Sequence, residues 1–179
     1  MLPTSRAWAV GNHHQERLIL ATIRGAPAGS LSVTLLEHEA ALIRGLAAEM
    51  RAILAARDAR GSPVIARLYP DAYEEDDDSQ AFRLLVEDDL TKAKLEAVEL
   101  VENKLGRSDE ESSLLLSYEE TNLWLTFLTD ARLALGTRLE VDEDRMSAEI
   151  EDDDPDAAAL SVLHWLGWLQ ETTLDQWET

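Results

Sequence analysis

The sequence predicts a mainly α fold, with a single helical domain of about four main helices and a small N-terminal β-hairpin. A chain of 179 residues has the length of one ordinary domain. Hydrophobic residues make up 45% of the chain, which is enough to build a core, but aromatic residues only 6%. The core must therefore consist mainly of Leu and Ala, which favour helices over strands. Four long stretches also place apolar residues at helical spacing.

The first element that we expect is the β-hairpin. Residues 1–16 have no apolar period and are interpreted as a flexible lead-in, so the domain spans residues 17–179. Two short segments, RLILATI (17–23) and SLSVTL (30–35), are rich in Leu, Ile, Val and Thr, and glycines and a proline separate them. This pattern predicts a hairpin over residues 17–35.

Helical spacing then recurs in four segments, at about residues 35–58, 79–105, 118–135 and 155–176. A capping box, in which a Ser or Thr is followed three residues later by Glu, begins two of them. The pairs are Thr34 with Glu37 and Ser117 with Glu120. Gly136 is the expected end of the third helix. In the second segment we expect apolar Leu90 to share the buried side and Thr91 to lie opposite, with a break near residues 89–91.

Three weaker elements lie between these helices. A short helical turn is expected at Ile65, and the polar segment after the third helix is expected to have a short ordered piece at residues 146–150. The segment TRLEV (137–141) suggests a short strand beside the hairpin.

Acidic charge is concentrated in the second part of the chain. The net charge is −20, yet residues 1–67 have eight basic and five acidic residues, whereas residues 68–179 have eight basic and 31 acidic ones. Such a surface repels phosphate, which argues against direct nucleic-acid binding. It suits a protein partner with a basic surface. The alternative is that the charge only keeps the protein in solution.

Several kinds of chemistry are excluded or unsupported. The absence of cysteine excludes disulfides, zinc–thiolate sites and thiol redox switches. The four histidines form no HExxH motif, and phosphate-binding and nucleophile-elbow motifs are absent. We therefore predict no catalytic residue, metal or cofactor. No apolar run reaches the roughly 20 residues of a membrane span, and the start lacks a signal peptide, so we expect a cytoplasmic protein without membrane contact.

Two arginines in DARLALGTRL (130–139) are candidates for interaction. Helical projection places Asp130 away from the buried arc and Arg132 at its edge, and Arg138 follows the expected helix end. One interpretation is that these arginines recognise a partner. The other is a clamp between the end of the helix and a carboxylate of the acidic half.

Two tryptophans in LHWLGWLQE (163–171) are also candidates. Trp165 projects to the margin of the buried arc, and Trp168 lies farther round the helix. Trp168 therefore needs a second contact, which could be the hairpin, the loop around Tyr69 and Tyr73, or the surface of another subunit or partner.

Four blocks in this order indicate a resemblance: RLYPDAY (67–73), AFRLLVEDDL (81–90), LTDARLALGTRLEV (128–141) and HWLGWLQE (164–171). Over about residues 31–174 the chain resembles an actinobacterial family, first described as a domain of unknown function and also called the actinobacterial oxidative-stress regulators.

The resemblance implies a non-enzymatic cytoplasmic regulator. Members are associated with transcription of sulfur and redox genes through contact with an alternative sigma factor of RNA polymerase, and their genes often neighbour the Clp-protease adaptor. The redox sensing attributed to such regulators requires a cysteine pair, and this chain has no cysteine. Either this member works without thiol sensing or the role does not carry over. The other interpretations are a structural homodimer and an enzyme with an unrecognised carboxylate site.

Overall fold

The computed structural model describes residues 21–56, 61–69, 77–106, 112–151 and 153–177, and over 77–85 it describes the backbone alone. The expected lead-in, residues 1–16, lies outside the described residues. In chain order the elements are β1 (Thr22–Ala26), β2 (Ser30–Leu35), α1 (Glu37–Ala55), α2 (Pro63–Leu68), α3 (Asp77–Leu105), β3 (Ser112–Leu116), α4 (Tyr118–Arg138), α5 (Glu143–Ser147) and α6 (Ala157–Trp177). The protein is mainly α, as predicted, with four long helices.

The predicted hairpin forms, and a third strand joins it. Strands β1 and β2 pair in antiparallel register through a turn at Pro27–Gly29. The first strand was expected over residues 17–23, of which 17–20 lie outside the described residues, and β1 continues beyond that range to Ala26. The strand β3 pairs antiparallel with β2, giving the order β1-β2-β3. One face of this sheet is fully buried: Ile23, Leu31, Val33, Leu35, Leu114 and Leu116. Lys104 at the end of α3 donates to the carbonyl oxygen of Leu115 in the outer strand β3, at 2.8 Å.

Helix α1 begins differently from the expected capping box. Glu39, rather than Glu37, reaches back and accepts the backbone N–H groups of Leu36 at 2.9 Å and Ala21 at 3.0 Å. Thr34 remains in strand β2, where its hydroxyl shares a hydrogen bond with Ser113 of β3. Glu39 is buried, and these two hydrogen bonds offset the cost of removing its carboxylate from water. The capping box predicted at Ser117 and Glu120 is confirmed for α4.

Helix α4 lies at the centre of the domain. It packs against α1, α2, α3 and α6 and also contacts β2 and β3. Its side chains Trp124, Phe127 and Leu128 are almost completely inaccessible to solvent. The remaining core comes mainly from aliphatic residues of α1, α3, α6 and the sheet. A helix buried on several sides needs apolar residues around most of its circumference, which α4 has.

Helix α3 is continuous through the expected break at residues 89–91. Its predicted buried face is confirmed for Ala97, Val98, Val101 and Leu105 but is wrong toward the N-terminal half. Leu90 is exposed, whereas Thr91 and Lys94 are buried. Thr91 donates its hydroxyl proton to the Glu87 carbonyl oxygen inside the helix. The prediction failed because it assigned the buried face by hydrophobicity, and here buried polar groups are paired with one another.

The end of α4 overturns two predictions. The helix does not stop at Gly136 but continues to Arg138, so residues 137–141 do not form the expected strand. Glu140 has a left-handed φ of 50°, and the N–H of Val141 donates to the Gly136 carbonyl oxygen at 3.0 Å. The N–H of Glu140 donates to the Thr137 carbonyl oxygen at 3.2 Å. These two bonds make a Schellman C-cap with Glu at the position that usually holds Gly.

The shorter helices follow the sequence signals. Helix α2 forms at the turn expected around Ile65, and the Ser62 hydroxyl caps it. Helix α5 covers residues 143–147, slightly before the ordered piece expected at 146–150, and the Asp142 carboxylate caps it. Across the described ranges, no helix combines the length and the apolarity needed to cross a bilayer.

Candidate interaction site on the α4 and α6 helix pair

Helices α4 and α6 run antiparallel and bring two of the sequence blocks together. Near one end Trp124 donates its indole N–H to the hydroxyl of Thr173, at 3.3 Å. Farther along, Arg132 donates to the side-chain oxygen of Gln170 at 2.7 Å. The amide of Gln170 in turn donates to Thr129 at 2.8 Å. The blocks LTDARLALGTRLEV (128–141) and HWLGWLQE (164–171) are therefore two sides of one helix interface.

Two glycines lie in this interface, and they differ in how much space a Cβ atom would have. A Cβ built on Gly167 would lie 3.3 Å from the Nη2 atom of Arg132, which is tighter than an ordinary contact. A Cβ built on Gly136 would meet only the methyl groups of Leu163, at 3.9 Å. The guanidinium of Arg132 thus lies flat over the backbone of α6, and Gly167 makes room for it.

Arg132 differs electrostatically from the other interface cations. In the part of the chain that the structure describes, no carboxylate lies within 4 Å of its guanidinium. Its Nε atom is buried and has no hydrogen-bond acceptor. The helix-end clamp to a carboxylate therefore does not hold for Arg132, whose partner is the neutral amide of Gln170. Arg132 is therefore a half-buried guanidinium without a neighbouring counter-ion among the described residues, in a chain with a net charge of −20.

Arg138 has a different environment. It forms an ion pair with Glu49 of α1, and both side chains are exposed. The expected clamp placed the carboxylate in the acidic half, residues 68–179, and that expectation is wrong because Glu49 belongs to the first part of the chain. The reason is packing: α1 contacts α4 directly.

A cavity of about 390 Å³ opens between α4, α5 and α6 beside Arg132. Its polar lining includes Thr129, Arg132 and Gln170, and two carboxylic residues, Asp142 and Glu143, come from the start of α5. The apolar lining consists of Leu133, Val141, Met146 and Leu163. The Schellman cap places Val141 and the start of α5 against this cavity, which sequence reasoning missed because it expected a strand there.

The two tryptophans of the opening motif are half-buried. Both Trp165 and Trp168 pack against the hydrophobic core. They lie on the same helix as Gly167 and Gln170, the two residues that contact Arg132. Their role in binding a partner stays a prediction.

Tyr69 lies in a separate buried cluster, and Tyr73 lies outside the described residues. The Tyr69 hydroxyl shares a hydrogen bond with Thr91 at 3.0 Å, and the Nζ atom of Lys94 lies 6.0 Å from its ring centroid. Lys94 pairs with Asp130 of α4 at 2.6 Å. Asp130 was expected to face away from the buried arc, and this is wrong because it is buried against that lysine. These residues tie α2, α3 and α4 together, away from the α4–α6 interface.

An aromatic pair that was not predicted, one ring exposed and the other half-buried, lies at the same end of the α4–α6 pair as the Trp124–Thr173 bond. The rings of Tyr118, which is 61% exposed, and Trp177 lie with centroids 4.7 Å apart. Leu174 precedes Trp177 by one helical turn and is also exposed. Leu115, which is 60% exposed, precedes Tyr118 by three residues, so the Cα atoms of the two residues are at most about 11 Å apart. We call Leu115, Tyr118, Leu174 and Trp177 the aromatic patch.

Three exposed carboxylic residues lie next to residues of the aromatic patch in the sequence. Glu119 follows Tyr118 at the first turn of α4, while Glu171 and Asp175 flank Leu174 on α6, and all three are exposed. Among the described residues, no group of three or more His, Asp or Glu side chains could hold a metal ion.

Comparison with known proteins identifies the family. A family model described as a domain of unknown function, DUF2017, matches residues 20–177. The chain belongs to the DUF2017 family. Proteins from Mycobacterium tuberculosis H37Rv and Mycobacterium bovis, each named "Oxidative stress regulator AosR", are 30% identical to it over 172 residues. These alignments cover 77% of this chain and 78% of each relative. No solved structure matches the chain significantly.

The DUF2017 match includes both the α4–α6 interface and the aromatic patch. The resemblance that the four sequence blocks suggested is therefore confirmed. A signal for the aromatic patch was present in the sequence: Tyr118 follows the cap residue Ser117, and Trp177 ends the last helix.

Proposed function

We propose that this DUF2017 protein is a non-enzymatic regulator in the response to oxidative stress, and that it acts by contact with a protein partner. The name of the mycobacterial relatives, oxidative stress regulator, supports a role in the stress response. The partner class that fits the surface is a protein with a basic face, such as an alternative sigma factor or RNA polymerase. Direct binding to nucleic acid is disfavoured by the net charge of −20.

The observation that carries this proposal is the aromatic patch with its acidic surroundings. Tyr118 and Leu115 are each about three-fifths exposed. Large apolar side chains grouped on the surface mark interaction sites, and Tyr and Trp are enriched where binding energy concentrates. Surrounding carboxylates would attract lysines and arginines that flank an apolar surface on the partner.

Self-association through the same patch is the competing use, and charge argues against it. Two copies would bring two acidic surroundings together in a protein with 36 acidic and 16 basic residues. Like charges oppose such an interface, whereas a basic partner removes the repulsion. Because the chain has no cysteine, redox sensing by thiols would reside in the partner or elsewhere in the pathway.

A binding experiment with paired variants tests the proposal. The full chain and the variant Tyr118→Ala/Leu174→Ser would be used to capture proteins from the native cytoplasm, and captured proteins would be titrated again after purification. The control is Val86→Ser, which removes another exposed apolar side chain from α3. We expect binding that weakens with salt, is lost in the patch variant and survives in the control.

Two results would contradict the proposal. One is a purified partner that binds the patch variant and the native chain equally well. The other is a concentration-dependent dimer, measured by size-exclusion chromatography with light scattering, that the patch variant abolishes. The second result would show that the patch binds a second copy of this chain and not a regulatory partner.

A further inference from the structure

We infer that the cavity beside Arg132 binds a small zwitterion, an α-amino acid with an apolar side chain. The inference goes beyond the proposed partner contact, because the cavity and the aromatic patch lie at different positions along the α4–α6 pair. Three properties of the cavity support it: an arginine without a counter-ion, carboxylates on another wall, and an apolar lining.

The guanidinium of Arg132 is prepared to accept a carboxylate. Its Nη1 atom is held by Gln170 at 2.7 Å, and Gln170 is held in turn by Thr129. These two bonds fix the plane of the guanidinium over Gly167. A planar guanidinium fixed by its neighbours matches the two oxygens of a carboxylate.

The second wall argues against a simple anion. Asp142 and Glu143 line the cavity from the start of α5. Asp142 already accepts the backbone N–H of Arg145 at 2.8 Å, which leaves Glu143 as the more available carboxylate. A ligand with a carboxylate alone would be repelled by this wall, whereas an ammonium group on the same molecule would be attracted to it.

The size and lining of the cavity define the rest of the ligand. A volume of about 390 Å³ is at the small end of the range for ligand pockets. Leu133, Met146 and Leu163 add aliphatic atoms to the lining. This arrangement suits an aliphatic side chain next to an amino-acid head group.

Titration calorimetry with defined probes tests the inference on the full chain. The probes are L-leucine, 4-methylpentanoate, which lacks the ammonium group, and 3-methylbutylamine, which lacks the carboxylate. The variants are Arg132→Gln and Glu143→Gln. The matched control is Arg138→Gln, which changes an arginine of the same helix that pairs with Glu49 and does not line the cavity.

We expect L-leucine to bind more tightly than either analogue, and Arg132→Gln to weaken it by about tenfold or more. Arg138→Gln should leave the affinity unchanged. Because Glu143 is exposed, Glu143→Gln should fold normally and weaken L-leucine while strengthening 4-methylpentanoate. The inference is overturned if L-leucine does not bind at millimolar concentration, if Arg132→Gln leaves its affinity intact, or if 4-methylpentanoate binds the native chain as tightly.

Discussion

Lys94 and Asp130 form an ion pair of 2.6 Å that is buried between α3 and α4. Less than a tenth of either side chain is exposed. Burial raises the pKa of Asp130 above its ordinary value, and the hydrogen bond and charge of Lys94 oppose that shift. Burying the two charges costs desolvation free energy, and the attraction between Lys94 and Asp130 offsets that cost for both residues.

Breaking this pair should be strongly destabilising. We expect Asp130→Ala to lower the free energy of unfolding by about 3–5 kcal/mol, because it leaves the Lys94 ammonium buried without a counter-charge. The double variant Lys94→Met/Asp130→Leu should recover most of the loss. Equilibrium unfolding in urea measures both, with Lys92→Met, an exposed lysine of α3, as the control. A loss below about 1 kcal/mol in Asp130→Ala would show that the pair is accessible to water.

Glu120 should make stability depend on pH. Its carboxylate accepts from Lys104 and from the Ser117 backbone N–H, and these bonds lower its pKa below the ordinary 4.5. The ionised group therefore stabilises the fold above pH 4.5, and that contribution disappears as the pH falls through the lower, folded-state pKa.

The test of this prediction is Glu120→Gln, which keeps an oxygen for the cap but removes the charge. At pH 7 it should be less stable than the native chain by about 0.5–1 kcal/mol, and the two stabilities should converge as Glu120 becomes protonated. Glu119→Gln, a change at an exposed neighbour, is the control. A difference that persists unchanged in strong acid would assign the effect to something other than charge.

The two interface glycines should respond in different ways to alanine. Gly136→Ala places its methyl group in ordinary contact with Leu163 and gains helix propensity, so we expect stabilisation of about 0.5–1 kcal/mol. Gly167→Ala gains the same propensity but displaces the Arg132 guanidinium, and it should be neutral or destabilising. Thermal unfolding measures the stability of both variants. In an Arg132→Ala background, where no guanidinium is displaced, Gly167→Ala should be stabilising. Equal effects of both changes in the native chain would mean that Arg132 moves without cost.

Glu140 is the third backbone position with a clear expectation. Its φ of 50° is strained for a residue with a side chain, and its charge lies at the negative end of α4. Glu140→Gly should raise the free energy of unfolding by about 0.5–1 kcal/mol. Glu140→Gln removes only the charge and should yield a smaller part of this gain. If both variants are equally stable, charge rather than backbone conformation explains the effect.

The parts of the fold that were predictable depend on local signals. Helices α1, α4 and α6 have apolar residues at helical spacing, and their positions were expected to within about three residues. The hairpin was recognisable from its β-branched strands and its turn residues. By contrast, β3 is five residues long and reads SSLLL, which carries no turn signal and pairs with a strand about 80 residues earlier. Such long-range pairing leaves little trace in a single sequence.

The candidate sites were less predictable for a related reason. Helical projection classifies each residue by its own polarity, so Asp130 and Thr91 were assigned to solvent. Their burial depends on Lys94 and Tyr69, which come from other elements. Arg132 was identified as a candidate because it lies at the edge of an apolar arc, but its contacts with Gly167 and Gln170 required the antiparallel alignment of α4 and α6.

The bond from Lys104 to the Leu115 carbonyl affects how molecules of this protein meet one another. An outer strand offers backbone groups to which a strand of another molecule can add, and a lysine placed against it is a common natural defence against aggregation. Lys104 occupies one of these acceptors while it also pairs with Glu120. Neutralising that single ammonium would therefore leave the edge of β3 less protected. The chain would still fold, but its molecules would tend to aggregate through this edge strand.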